Sequence, residues 1–296
     1  MMSELVVVAG ATGYVGRHLV VALAERGYRV RAVVRSRARA ERPGAFDAPA
    51  LTEHVSEWRE GDITDPAFVR GLCDGADRVA SALGVTRQKA SPWDVDYLAN
   101  LHLLEEAERA AARSFLYVNV MHADSGRSLI LRSKAAFAQA LSRSAVPHQL
   151  VNPSGFFSDV GDFLGMARRG VIVLPPANGI LIAPIHGADL ADFCVERLSD
   201  ESGSWDVGGP DVLSYRDIAA AAESAVGRRC RTFVLPAGVL TAAVWVAERI
   251  GGQPAVLAEF FAEGLTHSAI GERYGSRHLA AYFADVVRAT RTTPAT

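Results

Sequence analysis

The sequence has 296 residues, of which 49% are hydrophobic and 22% charged, and its formal net charge is −2. This apolar fraction is typical of a globular protein and excludes a largely disordered chain. The near-neutral charge argues against a nucleic-acid-binding protein, which would carry a basic excess. The three cysteines, Cys73, Cys194 and Cys230, have no metal-ligand spacing, so we predict neither a bound metal nor a disulfide framework.

No segment of the sequence is typical of export or of membrane insertion. The N-terminus lacks a basic region followed by a cleavage site. The longest apolar stretch, residues 234–247, is too short to span a bilayer and contains Pro236 and Gly238. We therefore expect a cytoplasmic protein without a membrane or nucleic-acid partner, present as a monomer or a weak homodimer.

Strands and helices are predicted to alternate through the first half of the chain. A continuous apolar run predicts a strand at residues 5–9 that is buried on both faces. Apolar residues at helical spacing follow it, and Gly27 is typical of the residue after a helix C-terminus. Later strands are predicted at residues 29–34, 55–59, 77–82, 115–120 and 148–152, with helices at residues 93–113 and 134–143.

This alternation predicts an α/β fold with a doubly wound parallel sheet of the Rossmann type. Residues 1–152 are predicted to form its dinucleotide-binding core. The pattern then loosens, and helices are predicted at residues 188–198, 215–226 and 238–249. Residues 153–296 should add the remaining strands, interleaved with substrate-binding helices in a smaller C-terminal region, so that the chain forms a single compact body.

A glycine-rich turn is predicted between the first strand and the first helix. In the run Gly10–Gly16, the first glycine permits a tight turn, the second lets a pyrophosphate approach the backbone, and the third lets helix and strand pack closely. The helix N-terminus then presents N–H groups and partial positive charge to the phosphates. An ordinary Gly-rich turn is the alternative, but the strand, turn, helix and next strand favour dinucleotide binding. The cofactor contacts assigned here are Gly10, Thr12, Gly13, Tyr14, Val15 and Gly16.

The end of the second strand predicts which dinucleotide is bound. An acidic residue there would accept a hydrogen bond from the ribose 2′-OH of NAD, whereas this chain has Arg35 and Arg37 and no carboxylate. Because a guanidinium pairs well with a phosphate, we predict NADP(H); the alternative is that the arginines form only a solvated surface. Further cofactor contacts are expected after the third and fourth strands, from Asp62 and Ile63 beside the adenine and from Ser81, Ala82 and Leu83 beside the ribose.

These features resemble the short-chain dehydrogenase/reductase superfamily. The resemblance is greater to its atypical GxxGxxG branch, which includes NmrA-like, isoflavone-reductase-like and divinyl-chlorophyllide-reductase-like proteins. It covers nearly the whole chain through the motifs Gly10–Gly16, Gly61-Asp62, Asp96-Tyr97, residues 152–157, 185–191 and 208–210, and residues 214–218. The resemblance also places Asn152 and Pro153 at the cofactor.

The sequence departs from the family at the catalytic residues, which are usually a Ser and a Tyr-x-x-x-Lys pair. Lys134 occupies the position of the ribose-binding Lys, but Ile130 stands where the Tyr is expected, and Asn119 or Val120 replaces the Ser. Because an aliphatic side chain cannot donate a proton, Tyr-based acid catalysis is predicted to be lost. His122, near the end of the fifth strand, is either an alternative proton donor or a solvent-facing loop residue.

The substrate is expected over the carboxyl edge of the sheet, against apolar and aromatic side chains. The residues assigned to it are Trp93, Tyr97, Met121, Ser154, Phe156, Phe157 and His186. An aromatic lining favours a flat hydrophobic substrate over a sugar, although some of these aromatics could be ordinary core residues. The chain also resembles tailoring ketoreductases of aromatic polyketides of the angucyclinone type.

That resemblance implies an NADPH-dependent ketoreductase acting on a polycyclic aromatic polyketide in antibiotic biosynthesis, without the usual Tyr. The proton would come from water, from a substrate hydroxyl beside the ketone, or from His122. Two alternatives stay open from the sequence. One is reduction of a conjugated C=C bond, as in the divinyl-reductase-like relatives, and the other is a non-catalytic NADP-sensing regulator of the NmrA-like type.

Overall fold

The computed structural model describes residues 3–85, 90–176 and 179–292. The chain divides into two compact units. The first contains residues 1–152 and 190–205, and the second contains residues 153–189 and 206–296. The segment 190–205 therefore belongs to the same unit as the N-terminal half, although it follows the predicted boundary at residue 152 in the sequence.

Eight of the described strands form one parallel sheet, in the order β12-β9-β6-β5-β4-β1-β2-β3. Its strands are β1 (Leu5–Ala9), β2 (Arg29–Val34), β3 (Glu57–Glu60), β4 (Arg78–Ser81), β5 (Ser114–Val118), β6 (His148–Pro153), β9 (Gly203–Gly208) and β12 (Glu272–Arg273). All residues of β1, β4 and β5 are buried, as expected for central strands with helices on both faces. This confirms the predicted α/β fold with a parallel sheet.

The helices of the first unit connect these strands. They are α1 (Tyr14–Glu25), α2 (Arg37–Ala40), α3 (Pro66–Val69), α4 (Asn100–Arg109) and α5 (Leu129–Arg143), with most of α7 (Gly187–Arg197). Gly27, with a φ of +84°, directly follows the residue that caps α1, as predicted. The core of this unit consists of apolar side chains from β1, β4, β5, α4 and α5, with Phe115, Tyr117 and Phe137 fully buried.

The register of the sheet brings the carboxyl ends of its central strands together. Ala9 of β1 lies beside Ser81 of β4, and Ser81 lies beside Tyr117 of β5. The turns that leave β1, β4 and β5 therefore share one edge of the sheet, where ligands bind in open α/β folds.

A π-helix at Trp93–Ala99 replaces the first part of the long helix predicted over residues 93–113. The Asn100 side chain donates hydrogen bonds to the backbone carbonyls of Val95 (3.3 Å) and Asp96 (3.0 Å), and it accepts one from the Ser81 hydroxyl (2.5 Å). Side-chain competition for backbone carbonyls is a physical cause of such wide helical turns, which occur often at functional sites. The helix predicted over residues 93–113 is therefore present, but its first seven residues are wound as a π-helix and it ends at Arg109.

The second unit has its own apolar core. Its remaining elements are α6 (Asp162–Arg169), β7 (Val171–Leu174), β8 (Leu181–Ile182), β10 (Leu213–Ser214), α8 (Tyr215–Val226), β11 (Arg231–Val234), α9 (Ala237–Ile250), α10 (Gln253–Gly264) and α11 (Leu279–Thr292). β10 pairs with β8 and β11 with β7. Phe157 and Phe283 are fully buried in the core, whereas α9 has no buried residue. No helix in the described part of the chain has the length and apolarity needed to cross a membrane.

Candidate dinucleotide and reductase site

The glycine-rich turn has the geometry that its sequence predicts. Gly10 has a φ of +75°, and a Cβ there would lie 2.7 Å from the backbone of Ala82. The Gly13 amide donates a hydrogen bond to the Gly10 carbonyl (2.9 Å), which closes the turn. A Cβ on Gly16 would collide with the backbone of Gly10, so α1 approaches the end of β1 this closely only because residue 16 is a glycine.

Gly13 is the N-cap of α1, with a φ of −71°, and no side chain caps the helix. No acidic residue lies in the first turn of α1. Thr12 and Tyr14 are half-buried beside this helix end, whereas Val15 is buried. An exposed glycine before an uncapped helix N-terminus leaves backbone N–H groups and partial positive charge for an anion, so these residues fit a pyrophosphate.

Arg35 and Arg37, the two arginines predicted to contact the 2′-phosphate, both follow β2 but have different surroundings. Arg35 follows β2 directly and is exposed. Arg37 begins α2, pairs with Glu41 at 2.7 Å, and places its guanidinium over the Trp58 ring at 5.4 Å from the centroid. Arg37 is thus held by Glu41 and Trp58, and Arg35 is exposed at the end of the strand.

Asp62 and Ile63 follow β3, the strand that pairs with β2. One carboxylate oxygen of Asp62 accepts hydrogen bonds from the Thr64 amide (3.0 Å) and hydroxyl (2.8 Å). These bonds, opposed by burial and assisted by the charge of Arg35, lower the pKa of Asp62 below its ordinary value. Asp62 is therefore an ionised acceptor close to Arg35, and Ile63 is buried beneath it in the core.

The three residues after β4 border the glycine-rich turn. The Ala82 amide donates to the Ala9 carbonyl (3.0 Å), and Ala82 lies against Gly10. The Ser81 hydroxyl accepts a hydrogen bond from the Leu83 amide (3.3 Å) and is itself fully buried. Ser81 thus bonds to the backbone of this turn, and Ala82 and Leu83 lie against Gly10.

Lys134 lies in a buried polar cluster with Asp96 and Tyr117. Its ammonium nitrogen is 3.0 Å from an Asp96 carboxylate oxygen, and it donates to the Tyr117 hydroxyl (3.3 Å) and the Leu83 carbonyl (3.4 Å). Asp96 is fully buried and also accepts a hydrogen bond from the Val85 amide (3.0 Å). The Lys134 side chain is 11% exposed. Its ammonium is therefore held by three partners, and only a small part of the side chain is exposed.

The electrostatics of this cluster favour a charged Lys134. Burial lowers the pKa of Lys134, but Tyr117 and Asp96 outweigh burial and raise it above its ordinary value. Burial raises the pKa of Tyr117 to about 12, although the charge of Lys134 opposes this effect. Tyr117 is fully enclosed, so it supports Lys134 and is unable to reach a substrate as the missing phenol would.

Asn119 follows β5, at the position of the family's catalytic Ser. Its side-chain amide donates to the Asn152 side-chain oxygen (2.9 Å), and Asn152 in turn donates to the Ser204 hydroxyl (3.2 Å). The Asn119 side-chain oxygen is buried without a hydrogen-bond partner among the described residues. An unsatisfied buried acceptor is costly, and this oxygen is the polar atom of Asn119 for which the described residues provide no donor.

His122 and Met121 lie in the turn after β5. His122 is exposed and has a φ of +63°, a left-handed conformation that few non-glycine residues adopt, and its carbonyl accepts a hydrogen bond from the Ser125 amide (3.3 Å). Met121 is buried. Ile130, where the family has Tyr, is 2% exposed within α5. The structure therefore places an aliphatic core residue at the position of the usual acid.

Trp93 and Tyr97 form an exposed aromatic pair on the π-helix that carries Asp96. Their ring centroids are 4.5 Å apart and their planes are tilted by 42°. Trp93 is 39% exposed, and Tyr97 is half-buried against the core of the first unit. This pair offers an apolar aromatic surface on the same helical turn that holds Lys134 through Asp96.

The remaining predicted site residues begin at Pro153 and belong to the second unit. Pro153 is buried, and Ser154 donates from its hydroxyl to the Ala183 carbonyl. Phe156 is half-buried. The Ser154 hydroxyl can still accept a hydrogen bond, but its proton is already used within the unit.

Phe157 and His186 lie in the core of the second unit. Phe157 is fully buried and packs against His186 and Tyr282, with centroid distances of 5.5 Å and 5.2 Å. His186 is also buried, and its Nδ1 accepts a hydrogen bond from the Ala188 amide (3.1 Å). Both side chains have structural partners here, so their predicted contact with substrate stays a prediction.

Sequence reasoning did not single out Arg17, Asp96 or Tyr117 as members of the site. Asp96 contributed only to a family motif, although a carboxylate among apolar helical positions is itself a signal for a buried partner. Tyr117 lies within the apolar run of β5, and nothing in that run distinguishes it from a residue that only packs in the core. Arg17 directly follows the third glycine, where a buried arginine requires several acceptors that the sequence alone does not place.

The comparisons with known proteins identify the family. The model of a family described as NAD(P)H-binding matches residues 10–201. The chain therefore belongs to this NAD(P)H-binding family, which agrees with the predicted resemblance to the atypical short-chain dehydrogenases. The family description, NAD(P)H-binding, names a reduced nicotinamide dinucleotide, and to that extent it confirms the prediction of NADP(H) as the cofactor.

Among curated proteins, the chain is similar to the divinyl chlorophyllide a 8-vinyl-reductases of Zea mays and of Oryza sativa subsp. indica. It is 27% identical to the maize protein over 258 residues, which are 82% of this chain and 64% of the relative. It is also 27% identical to the rice protein over 260 residues, which are 83% of this chain and 64% of the relative. The chain thus spans slightly less than two thirds of the length of each of these relatives.

Solved structures share the fold. An NADPH-dependent quinone oxidoreductase of Escherichia coli, in complex with NADPH, has a TM-score of 0.71 at 17% identity, covering 97% of this chain and 100% of that one. The triphenylmethane reductase of Citrobacter sp., in complex with NADP(H), has a TM-score of 0.68 at 14% identity, covering 94% of this chain and 95% of that one. At these identities the likeness establishes the fold alone.

Proposed function

We propose that the protein is an NADPH-dependent reductase that transfers a hydride to the ketone of a polycyclic aromatic polyketide, as a tailoring step in antibiotic biosynthesis. The observation that carries the proposal is the arrangement at the carboxyl edge of the sheet. An uncapped, glycine-lined helix N-terminus lies on the same edge as a charged lysine and an exposed aromatic pair. The first fits a pyrophosphate, the second a ribose, and the third a flat apolar substrate.

The proposed choice of NADPH over NADH depends on the residues after β2. The structure has exposed Arg35 there and no acidic residue between Val34 and Arg39 that could accept a hydrogen bond from a ribose 2′-OH. Arg37 lies close by, with one face over Trp58. Guanidinium groups pair with phosphate through short, charge-assisted hydrogen bonds, so these arginines favour the dinucleotide with the additional phosphate.

NADPH, when bound, supplies the hydride for the carbonyl carbon of the substrate. Lys134 holds the ribose, with Asp96 and Tyr117 fixing its ammonium from below. Asn119 stands at the position of the family's catalytic Ser, and its side-chain amide is held by Asn152. Positioning of the two reactants supplies most of the rate acceleration in this mechanism.

The proton for the newly formed oxygen does not come from position 130, because Ile130 is aliphatic and buried. It comes from water or from a hydroxyl on the substrate beside the ketone, with exposed His122 as a weaker alternative. A positioned general acid contributes about 10²–10⁴-fold to a rate, so its loss slows such a reaction without abolishing it.

The similarity to divinyl chlorophyllide reductases favours a second candidate, the reduction of a conjugated C=C bond. The same site suits this reaction, because hydride addition to one carbon of the conjugated system leaves a delocalised anion, which takes its proton from water at the neighbouring carbon without a positioned phenol. The third candidate, a non-catalytic NADP-sensing regulator of the NmrA-like type, uses the same dinucleotide site without turnover.

Deuterium transfer separates these candidates. The purified protein is incubated with NADPH deuterated at C4 and with two probes, a polycyclic ketone that carries a phenolic hydroxyl beside the carbonyl and a matched aromatic enone. Deuterium on the carbinol carbon supports the ketoreductase, and deuterium on the β-carbon of a saturated ketone product supports the C=C reductase. Tight NADPH binding without transfer to either probe supports the regulator and contradicts both enzymatic candidates.

Two variants test the roles assigned to Lys134 and His122. Lys134→Ala should raise the NADPH dissociation constant by about tenfold or more, because it removes a charged hydrogen-bond donor. His122→Asn should retain activity, since Asn tolerates the positive φ of this residue. Wild-type NADPH affinity in the first variant, or complete loss of turnover in the second, would contradict these roles.

A further inference from the structure

Arg17 is a buried cation that the proposed reaction does not use. It is the first residue after the last glycine of the turn and lies in the first half of α1, with 4% of its surface exposed. No carboxylate is within ion-pairing distance of its guanidinium in the described part of the chain. A buried arginine of this kind is stabilised only where other acceptors satisfy its N–H groups.

Those acceptors are backbone carbonyls from two separate segments. Nε donates to Thr12 of the glycine-rich turn at 3.2 Å. The other nitrogens donate to four carbonyls of the segment after β2, which are those of Arg39 (2.8 Å), Ala40 (3.1 Å), Arg42 (2.7 Å) and Pro49 (2.7 Å). One side chain thus joins the turn that fits the pyrophosphate to the segment that follows Arg35 and Arg37.

This segment, residues 37–51, needs such an anchor. Phe46 and Asp47 both have positive φ values, of 57° and 59°, which non-glycine residues rarely adopt. Gly44 packs directly against the Arg17 side chain, and a Cβ there would lie 2.9 Å from Arg17 Nε. The carbonyls of Arg39, Ala40 and Arg42 fix the backbone of α2 and of the residues after it, including the backbone that carries Arg37.

We propose that Arg17 is a positioning residue for cofactor specificity, which orders residues 37–42 so that their arginines are preorganised for the 2′-phosphate of NADPH. The inference rests on the proposed function, because it assumes that this segment contacts the 2′-phosphate. Its effect is indirect: Arg17 uses its own N–H groups on carbonyls and contacts no phosphate. Its charge also remains uncompensated by any nearby carboxylate, so it adds to the positive potential of the segment.

The test compares the affinities of NADPH and NADH, measured by calorimetry, in wild type and in two variants. Arg17→Met removes all five hydrogen bonds, and Gly44→Ala displaces the Arg17 side chain while keeping its charge. Ordering the arginine side chains on binding then costs conformational entropy, so NADPH affinity should fall by about tenfold. The affinity for NADH, which lacks the 2′-phosphate, should fall by less than about threefold.

Two further variants exclude effects on folding or on total charge. Arg26→Met removes an exposed arginine from the other end of α1 and should leave the ratio of the two affinities unchanged. Arg17→Lys keeps the charge with fewer donors and should give an intermediate ratio; it also replaces Arg17→Met if that variant does not fold.

An Arg17 with a merely structural role would lower the melting temperature without changing the ratio of NADPH to NADH affinity. Folded variants with the wild-type ratio would therefore overturn this inference alone. A wild-type protein that binds NADH as tightly as NADPH would overturn the proposed 2′-phosphate site and, with it, this inference.

Discussion

Asp96→Asn should destabilise the protein by leaving the Lys134 ammonium buried without its counter-ion. Asp96 is fully buried, and the side chain of Lys134 is 11% exposed at 3.0 Å from its carboxylate. Removing one partner of a buried ion pair costs about 3–5 kcal/mol. Tyr117 and Leu83 still accept hydrogen bonds from the ammonium, so the expected loss is near the lower limit, about 3 kcal/mol.

The assay is equilibrium urea unfolding of wild type, Asp96→Asn, Lys134→Met and the double variant at pH 7. Lys134→Met should cost less than Asp96→Asn, because a buried carboxyl whose pKa is already raised by burial can take up a proton. The double variant should be more stable than the sum of the single effects by about 2 kcal/mol. A loss below about 1 kcal/mol in Asp96→Asn, or strictly additive effects, would refute the assignment of a buried ion pair.

Two further predictions concern other elements. Ile130→Tyr should not increase the rate of ketone reduction and should lower the free energy of unfolding by about 1–3 kcal/mol, because residue 130 is 2% exposed and has no room for a phenol; a faster, equally stable variant would contradict this. Asp217→Ala removes the capping box that Asp217 forms with Ser214 at the start of α8 and should cost about 1 kcal/mol at pH 7. The hydrogen bonds from Ser214 lower the pKa of Asp217 below its ordinary value of 3.8. The stabilisation by Asp217 is therefore present above pH 3.8 and is lost as the pH falls through the lower pKa of the folded state. The difference in free energy of unfolding between wild type and Asp217→Ala should shrink below pH 4. A difference that grew with acidity would contradict this account.

The sequence predicts the first half of the fold well because local signals and the tertiary structure agree there. The apolar run of β1, the glycine-rich turn and Gly27 at the end of α1 each specify a conformation that the sheet also requires. The π-helix could not be predicted, because it depends on Asn100 reaching the carbonyls of two residues in the preceding turn and the hydroxyl of β4. Competition between side chain and backbone of this kind has no periodic signature.

The candidate site was predicted in part. Motif positions indicated the glycine-rich turn and Lys134 as candidate cofactor residues, since these motifs depend on short spacings along the chain. The partners of Lys134 are 38 and 17 residues away in sequence, and only the packing of the π-helix and β5 against α5 brings them together. Arg17 illustrates the same limit, because its acceptors lie up to 32 residues away and are backbone atoms of an irregular segment. Phe157 and His186 were assigned to the substrate by residue type, whereas the structure gives both of them core contacts.

The central claim is that a dinucleotide lies with its pyrophosphate on Gly13 at the N-terminus of α1, and Gly13→Asp tests it most directly. Aspartate is a favourable N-cap, and a Cβ at residue 13 meets only the Gly10 carbonyl at 3.3 Å, so the variant should fold at least as stably as wild type. Its carboxylate would occupy the place of the pyrophosphate and repel it. Calorimetric titration with NADPH should show one site per chain in wild type and an affinity lower by about a hundredfold or more in the variant. Wild-type affinity in a folded Gly13→Asp protein would contradict the account.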